Sequence, residues 1–312
     1  MEYILLIIGF VLLIKGADFF VDGASSVAAK LKVPSLIIGL TVVSIGTSLP
    51  EAAVSISASL GGVNGISLGN VIGSNIFNLL MVVGISSIIL PILTDRAILT
   101  RDMPFNIGIT VVLFFMLLDS HLSRVEAVIL LLLLAVYLFI LIRSALKNRE
   151  EGEETKVLTW FKSILFIVLG AAAIIGGGQL VVDSAKTIAA SLGMSDTLIG
   201  LTVVALGTSL PELVTSIVAA RKGDSGIAMG NVIGSCIFNI LFILGVAGVI
   251  SPMTADSAFL IDTGILIGIC LVMLLFAFTK RKTDRLEGAA CVLIYVAYTA
   301  YIIMRTYGIW IF

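Results

Sequence analysis

Gly39 to Glu51 reads GLTVVSIGTSLPE, and Gly200 to Glu212 reads GLTVVALGTSLPE, so the two stretches agree at 11 of 13 positions. Further along each half, Gly69 to Asn78 (GNVIGSNIFN) matches Gly230 to Asn239 (GNVIGSCIFN) at 9 of 10. Both pairs are offset by 161 residues, and that offset carries residues 1–151 onto 162–312 without a gap. It also pairs Asp22 with Asp183, Pro91 with Pro252, Asp95 with Asp256 and Arg124 with Arg285. A fixed internal period marks a duplicated architecture and has to be read before anything else.

The 312 residues are 59% hydrophobic and 12% charged, with a net charge of −1. Soluble domains carry about 25% charged residues, so this chain has too little polar surface to cover a globule and reads as an integral membrane protein partnered by the lipid bilayer. It has no basic footprint for nucleic acid. Apolar runs between polar breaks predict ten spans, near 3–29, 34–60, 66–93, 103–119, 124–146, 160–190, 196–220, 226–251, 257–279 and 286–307. At about 20 residues per span these fill the chain and leave no room for a soluble domain. Five spans per half is an odd number, so the second copy has to be inverted. The expected fold is an all-α integral membrane protein of ten transmembrane helices in two inverted five-helix repeats, at 1–146 and 160–312. A cytoplasmic linker, 147–159, joins them and contains KNREEGEETK.

Orientation follows from the basic residues. With the N-terminus outside, fifteen of the 19 Lys and Arg face the cytoplasm, against Arg124, Lys186 and Arg305 outside and Lys15 within the first span. The expectation is N-out and C-out. The N-terminus lacks a positive n-region, so the first span is expected to be retained. The two longest runs are expected to be tilted, or bent near the glycines at 16, 23 and 176–178. Cys236, Cys270 and Cys291 lie in apolar runs and read as small buried hydrophobes. His121 and the acidic residues of 150–154 read as solvated. Asp18, Asp22 and Asp183 read as cation-steering or as interface caps and pairs, and Arg124/Glu126 and Arg285/Glu287 as salt-bridged helix starts.

From Val33 to Thr94 the only ionisable side chain is Glu51, and from Thr197 to Ala220 it is Glu212. A charge at the bilayer centre costs about 2.5–3.5 kcal/mol, which makes each a functional-site hypothesis. The alternative is a protonated glutamic acid serving as interhelical glue. Pro50 and Pro211 lack an N–H and predict helix breaks around Gly46 and Gly207 that free backbone oxygens. Thr47, Ser48 and Glu51 share one helix face, as do Thr208, Ser209 and Glu212. Asn70, Ser74 and Asn78 form a polar stripe at four-residue spacing, mirrored by Asn231, Ser235 and Asn239. Hydroxyl, amide, carboxylate and carbonyl oxygens suit Na⁺, Ca²⁺ or Mg²⁺. For Asn70, Asn231 and the GxxxG pairs, close helix packing is an equally good reading. Inverted repeats with broken helices are a transporter architecture whose site lies near the midplane.

GTSLPE followed by GN-x-x-GS-x-x-x-N, occurring twice, resembles the two α-repeats of the cation/calcium exchanger superfamily, and its Na⁺/Ca²⁺ exchanger branch in particular. The likeness covers the whole chain. It implies a secondary-active antiporter, not an enzyme and without a cofactor, that exports Ca²⁺ in exchange for Na⁺ entry. The first and sixth helices would slide over a fixed core. Residue by residue, it implies that Glu51 and Glu212 are shared between Ca²⁺ and Na⁺, with Thr47 and Thr208 beside them. Ser48, Ser209, Ser74 and Ser235 would complete flanking Na⁺ sites with carbonyls from Ser44 and Ala205, while Asn78 and Asn239 line the middle.

Asn239 departs from the aspartate of K⁺-dependent members, which disfavours K⁺ co-transport. Ser44 stands where an archaeal-type relative has alanine. There is no large insertion between the halves to hold regulatory Ca²⁺-sensing domains. With two carboxylates the site is neutralised by one Ca²⁺ or two Na⁺, and under the family's 3:1 exchange a third Na⁺ makes transport electrogenic. A Ca²⁺/H⁺ antiporter using the same glutamates is the rival reading, against which stand the serines and threonines that proton coupling does not need. A channel normally builds its pore by rotational symmetry among subunits, and an intramembrane enzyme would need a nucleophile with its base; neither feature is present in the sequence. One chain holds a complete site, so a functional monomer in a prokaryotic cytoplasmic membrane is expected.

Overall fold

The computed structural model describes residues 1–62, 64–147, 157–193 and 205–307. In chain order the helices of the first half are α1 (Glu2–Leu31), α2 (Ser35–Ile38), α3 (Ser44–Thr47), α4 (Leu49–Leu60), α5 (Asn64–Phe77), α6 (Val83–Ile89), α7 (Met103–Met116) and α8 (Arg124–Lys147). Those of the second are α9 (Trp160–Ser191), α10 (Ala205–Thr208), α11 (Leu210–Arg221), α12 (Ser225–Phe238), α13 (Leu244–Ile250), α14 (Ser257–Lys280) and α15 (Arg285–Thr306). Single π-helical turns at Gly39–Val43, Asn78–Val82 and Asn239–Ile243 join α2 to α3, α5 to α6 and α12 to α13, and a fourth at Ile98–Asp102 leads into α7.

Eight of the resulting runs are long and apolar enough to cross a membrane, and Ser35–Thr47 with Leu49–Leu60, bent by 50°, makes a ninth. Of the tenth expected span only α10 and α11 are described; residues 194–204, and 148–156 of the expected linker, lie outside the described residues.

The two longest helices, α1 and α9, are each continuous through the glycines at 16, 23 and 176–178. Their glycines bring the two backbones together. A Cβ on Gly9 would stand 2.9 Å from the Gly177 carbonyl oxygen, one on Gly16 2.9 Å from that of Gly170, and one on Gly23 2.8 Å from that of Ser163. Numbers rise along one helix as they fall along the other, so the first helix of each repeat runs antiparallel to its counterpart.

Four two-residue strands give the same inversion independently. β1 (Ile92–Leu93) pairs with β4 (Lys282–Thr283), and β2 (His121–Leu122) pairs with β3 (Met253–Thr254), both antiparallel. Each sheet joins the loop after the third span of one half to the loop between the fourth and fifth spans of the other. Those loops lie on opposite faces within one repeat, so they meet only when the repeats are inverted.

The polar stripes face the centre. The runs Gly65–Ile89 and Ser225–Ile250 are 72% and 78% buried, against 11% for Arg285–Thr306, whose remaining apolar surface faces lipid. All three cysteines are buried. At the helix starts Glu126 caps its own helix, accepting from the Ser123 amide and hydroxyl, both at 2.8 Å, and Glu287 accepts from the Asp284 amide at 2.9 Å while its other oxygen lies 3.9 Å from Lys280 Nζ and not on Arg285. A carboxylate three residues into a helix reaches back to an otherwise unpaired N–H, which wins over an exposed arginine.

The α1–α9 pair is tied to the core at one end by polar contacts. Lys222 Nζ meets Asp22 at 2.6 Å and the Asp18 carbonyl oxygen at 2.8 Å, while Ser25 of α1 and Ser35 of α2 donate to Asp224 at 3.0 and 2.7 Å. The 161-residue offset places Gly61 and Val63 opposite Lys222 and Asp224, so the other end has no side chains to repeat these ties. Asp183, the counterpart of Asp22, is bonded within its own helix to Gln179 at 3.2 Å.

The glycine contacts give a direct test. Gly16→Val should lower the thermal midpoint of the detergent-solubilised protein, since overpacking costs about 1–3 kcal/mol. Gly176→Ala, where a Cβ meets nothing within 4 Å, should leave it unchanged. Equal midpoints would remove the close-packing account of α1 and α9.

Candidate cation site

The broken helices are built differently from the sequence expectation. The break falls at Ser48 (φ −85°, ψ 7°) and at Ser209 (φ −93°, ψ 8°), not around Gly46 and Gly207. Pro50 and Pro211 sit in the first turn of α4 and α11, where a missing N–H costs nothing because first-turn amides have no intrahelical acceptor. Glu51 and Glu212 occupy those same first turns, where the positive end of the helix dipole favours a carboxylate.

Among the described residues, the buried acidic side chains are Glu51, Asp102, Glu212 and Asp262. Two are neutralised locally. Arg101 Nε and Nη2 bond both oxygens of Asp102 at 2.7 and 2.9 Å, with the Tyr137 hydroxyl adding a 3.0 Å bond, and Arg305 grips Asp262 at 2.9 and 2.8 Å. Glu51 and Glu212, both fully buried, have no basic partner among the described residues.

Their hydrogen bonds cross between the repeats. Ser48 Oγ donates to Glu212 Oε1 at 2.8 Å, and Ser209 Oγ donates to Glu51 Oε1 at 3.1 Å. Ser209 also lies 3.2 Å from Ser74 Oγ. Within each repeat an asparagine holds the glutamate's backbone: Asn70 Nδ2 donates to the Glu51 carbonyl (3.1 Å) and Ser55 Oγ (2.9 Å), and Asn231 Nδ2 to the Glu212 carbonyl (3.2 Å) and Ser216 Oγ (2.9 Å). Thr47 Oγ1 bonds Asn231 Oδ1 at 2.9 Å.

The atoms left over carry the chemistry. Glu51 Oε2, Glu212 Oε2, Asn78 Oδ1 and Nδ2, Asn239 Oδ1, Thr208 Oγ1 and Ser235 Oγ are buried without a hydrogen-bond partner. A stranded buried polar group costs about 1–3 kcal/mol, and these seven atoms belong to six residues named from the sequence. All but one are oxygens, the donor set of a hard cation. One charge-assisted hydrogen bond, about 1.5–3 kcal/mol, does not compensate a carboxylate taken out of water; a bound cation or a proton does.

Residues 1–143 and 162–304 match the profile of the family described as sodium/calcium exchanger protein. The chain belongs to the sodium/calcium exchanger family. It is 36% identical over 340 residues to the sodium/calcium exchanger MaX1 of Methanosarcina acetivorans, covering 95% of this chain and 97% of that one. It is also 38% identical over 262 residues to the inner membrane protein YrbG of Escherichia coli, covering 81% of each. Among solved structures it resembles the sodium–calcium exchanger NCX_Mj, with a TM-score of 0.85 and 34% identity over 96% of this chain and 97% of that one. The protein is thus a multi-spanning membrane member of a family of cation antiporters.

Within this exchanger fold, Ser44, Thr47, Ser48, Glu51, Ser74, Asn78, Ser209, Glu212, Ser235 and Asn239 have buried side chains, and Thr208 is partly buried. Ala205 opens α10, and its side chain lies outside the described set. The Ser44 hydroxyl turns back to the Thr41 carbonyl at 3.2 Å, and its own carbonyl accepts from the Ser48 amide (3.0 Å) and the Thr47 hydroxyl (3.3 Å). Sequence reasoning missed Asn75, Ser55 and Ser216. The signal for Asn75 was present, because Asn75 against Cys236 is the one mismatch in the second pair of motifs.

Asn231 makes one more side-chain bond than Asn70. Asn231→Ala should therefore destabilise the cation-free protein more than Asn70→Ala, by about 1–3 kcal/mol, read as the difference between their thermal midpoints. The reverse order would mean that Thr47–Asn231 contributes nothing.

Proposed function

We propose that this protein is an electrogenic antiporter that exports Ca²⁺ in exchange for Na⁺ entry by alternating access. It works as a monomer of ten spans in the cytoplasmic membrane, with both termini outside. One observation carries the reading: two fully buried glutamates, one from each repeat, with no basic partner and one unpaired oxygen each.

The proposed chemistry is competition. Glu51 and Glu212 supply the negative charge, with Thr47 and Thr208 beside them. Ser48, Ser74, Ser209 and Ser235 supply hydroxyls, Ser44 and Ala205 carbonyls, and Asn78 and Asn239 neutral amides. One Ca²⁺ or two Na⁺ cancel two carboxylates. The empty, ionised site is the costly one to move through the apolar interior, at about 2.5–3.5 kcal/mol per charge, so ions cross in exchange and not alone. A third Na⁺ moves one net charge per cycle, worth about 2.3 kcal/mol per 100 mV, and an inside-negative potential then drives Ca²⁺ outward.

The moving part is the α1–α9 pair. Its two helices meet backbone to backbone, while its core contacts include the Phe20 ring over Gly46 and Val182 against Gly207. Sliding this pair exposes the glutamates to one side or the other without rebuilding them. MaX1 and NCX_Mj, similar over nearly the whole chain, are both described as sodium/calcium exchangers, which supports Na⁺ as the coupling ion.

Liposomes containing the purified protein and loaded with Na⁺ should take up radioactive Ca²⁺, and K⁺-loaded liposomes should not. Glu51→Gln and Glu212→Gln should each reduce uptake to background. Clamping the membrane potential should change the initial rate. Uptake driven by a pH gradient without Na⁺ would replace Na⁺ coupling with H⁺ coupling, and full activity in both variants would place the site elsewhere.

A further inference from the structure

The two central amides are treated differently by their surroundings. Asn78 and Asn239 are equivalent under the repeat, and each opens a π-helical turn. Neither side-chain atom of Asn78 has a partner, whereas Asn239 Nδ2 donates to Asn75 Oδ1 at 3.0 Å. Asn75 in turn donates from Nδ2 to the Cys236 backbone carbonyl at 3.1 Å and is 1% exposed.

This chain of bonds has a polarity that cannot be reversed. A backbone carbonyl only accepts, so Asn75 has to present its NH₂ to Cys236 and its oxygen to Asn239. Asn239 has to answer with its own NH₂, which turns Oδ1 the other way. That oxygen is buried and unpartnered. We infer that Asn75 is a positioning residue for cation binding: through the Cys236 carbonyl it fixes Asn239 with its oxygen, and not its NH₂, toward the ion. Both polar ends of Asn75 are engaged by protein, its NH₂ by the Cys236 carbonyl and its oxygen by Asn239, which is the geometry of an orienting group.

The inference rests on the cation-site reading above and adds an asymmetry to it. The counterpart of Asn75 is Cys236, whose thiol cannot key an amide in the same way, so Asn78 has no equivalent lock. A flipped Asn239 would point two partial positive hydrogens at a cation, so the orientation decides between a ligand and a repulsive group.

The test is Na⁺-driven Ca²⁺ uptake in liposomes, read as KM and maximal rate, with thermal midpoints of the cation-free proteins. Asn75→Ala and Asn75→Cys, the latter installing the side chain that the other repeat carries there, should raise the KM for Ca²⁺. Loss of an orienting partner typically costs about 10–100-fold in metal affinity. Maximal rate should change little, whereas the midpoint should fall, because the buried Asn239 Nδ2 loses its acceptor; the KM shift is therefore the readout that separates orientation from packing. In an Asn239→Asp background both ends of the side chain accept and no orientation is needed, so adding Asn75→Ala, which also removes an oxygen facing the carboxylate, should not raise KM further. An unchanged KM in both single variants would overturn the inference. So would a lowered midpoint without a KM effect, or a full effect of Asn75→Ala on top of Asn239→Asp. No uptake by the unmodified protein would sink the exchanger reading and this inference together, whereas normal uptake with insensitive Asn75 variants sinks the inference alone.

Discussion

Two carboxylates buried in an apolar interior, with no arginine or lysine among the described residues to neutralise them, are the constraint around which the rest is arranged. Asp102 and Asp262 show the alternative in the same molecule: each is gripped by an arginine and is electrostatically finished. Glu51 and Glu212 receive serine hydroxyls, a helix N-terminus and asparagine-anchored backbones, all of which orient a carboxylate and none of which cancels its charge. The broken second span exists to provide such a helix start in the middle of the fold. Its break at a serine gives the donor that the opposite repeat needs.

Inversion is what makes the arrangement economical. One sequence motif used twice, upside down, delivers two glutamates and two serines that satisfy each other reciprocally. The departures from symmetry are as informative as the symmetry. Asn75 faces Cys236 and so keys only one central amide, and Lys222 and Asp224 correspond to Gly61 and Val63, so the charged ties they make at one end of the α1–α9 pair are not repeated by their counterparts. A perfectly symmetric transporter would have equivalent sides; this one does not.

Much of this was legible in the sequence. The repeat, the membrane class and nearly all spans follow from composition and an offset of 161, two isolated glutamates mark the candidate site, and its further residues come from the family resemblance. What was misread shares a physical cause: the relevant partner is far away in sequence or is backbone. The close-packing role of Gly16 and Gly23 was missed because the carbonyls they approach, on Gly170 and Ser163, belong to the other half. Pro50 looked like a mid-helix break because an N-terminal proline and an interior one look alike until the chain is seen to restart at Leu49. Glu126 and Glu287 looked like partners of Arg124 and Arg285 because each takes an amide, which every residue has, and Glu287 takes Lys280 as its ion-pair partner. Asp262 could not be matched to Arg305 across 43 residues by pattern alone.

The reciprocal serine–glutamate bonds also constrain how the molecule can be made. Glu51 enters the membrane early in synthesis, but its donor Ser209 lies 158 residues further on, and the Ser48 hydroxyl waits 164 residues for Glu212. Until then the first repeat carries an acidic side chain in lipid without its serine donor. The first half is therefore an incomplete object when it leaves the ribosome. The candidate cation site is among the last parts to assemble, and a break anywhere in the second half before Ser209 leaves Glu51 without its donor.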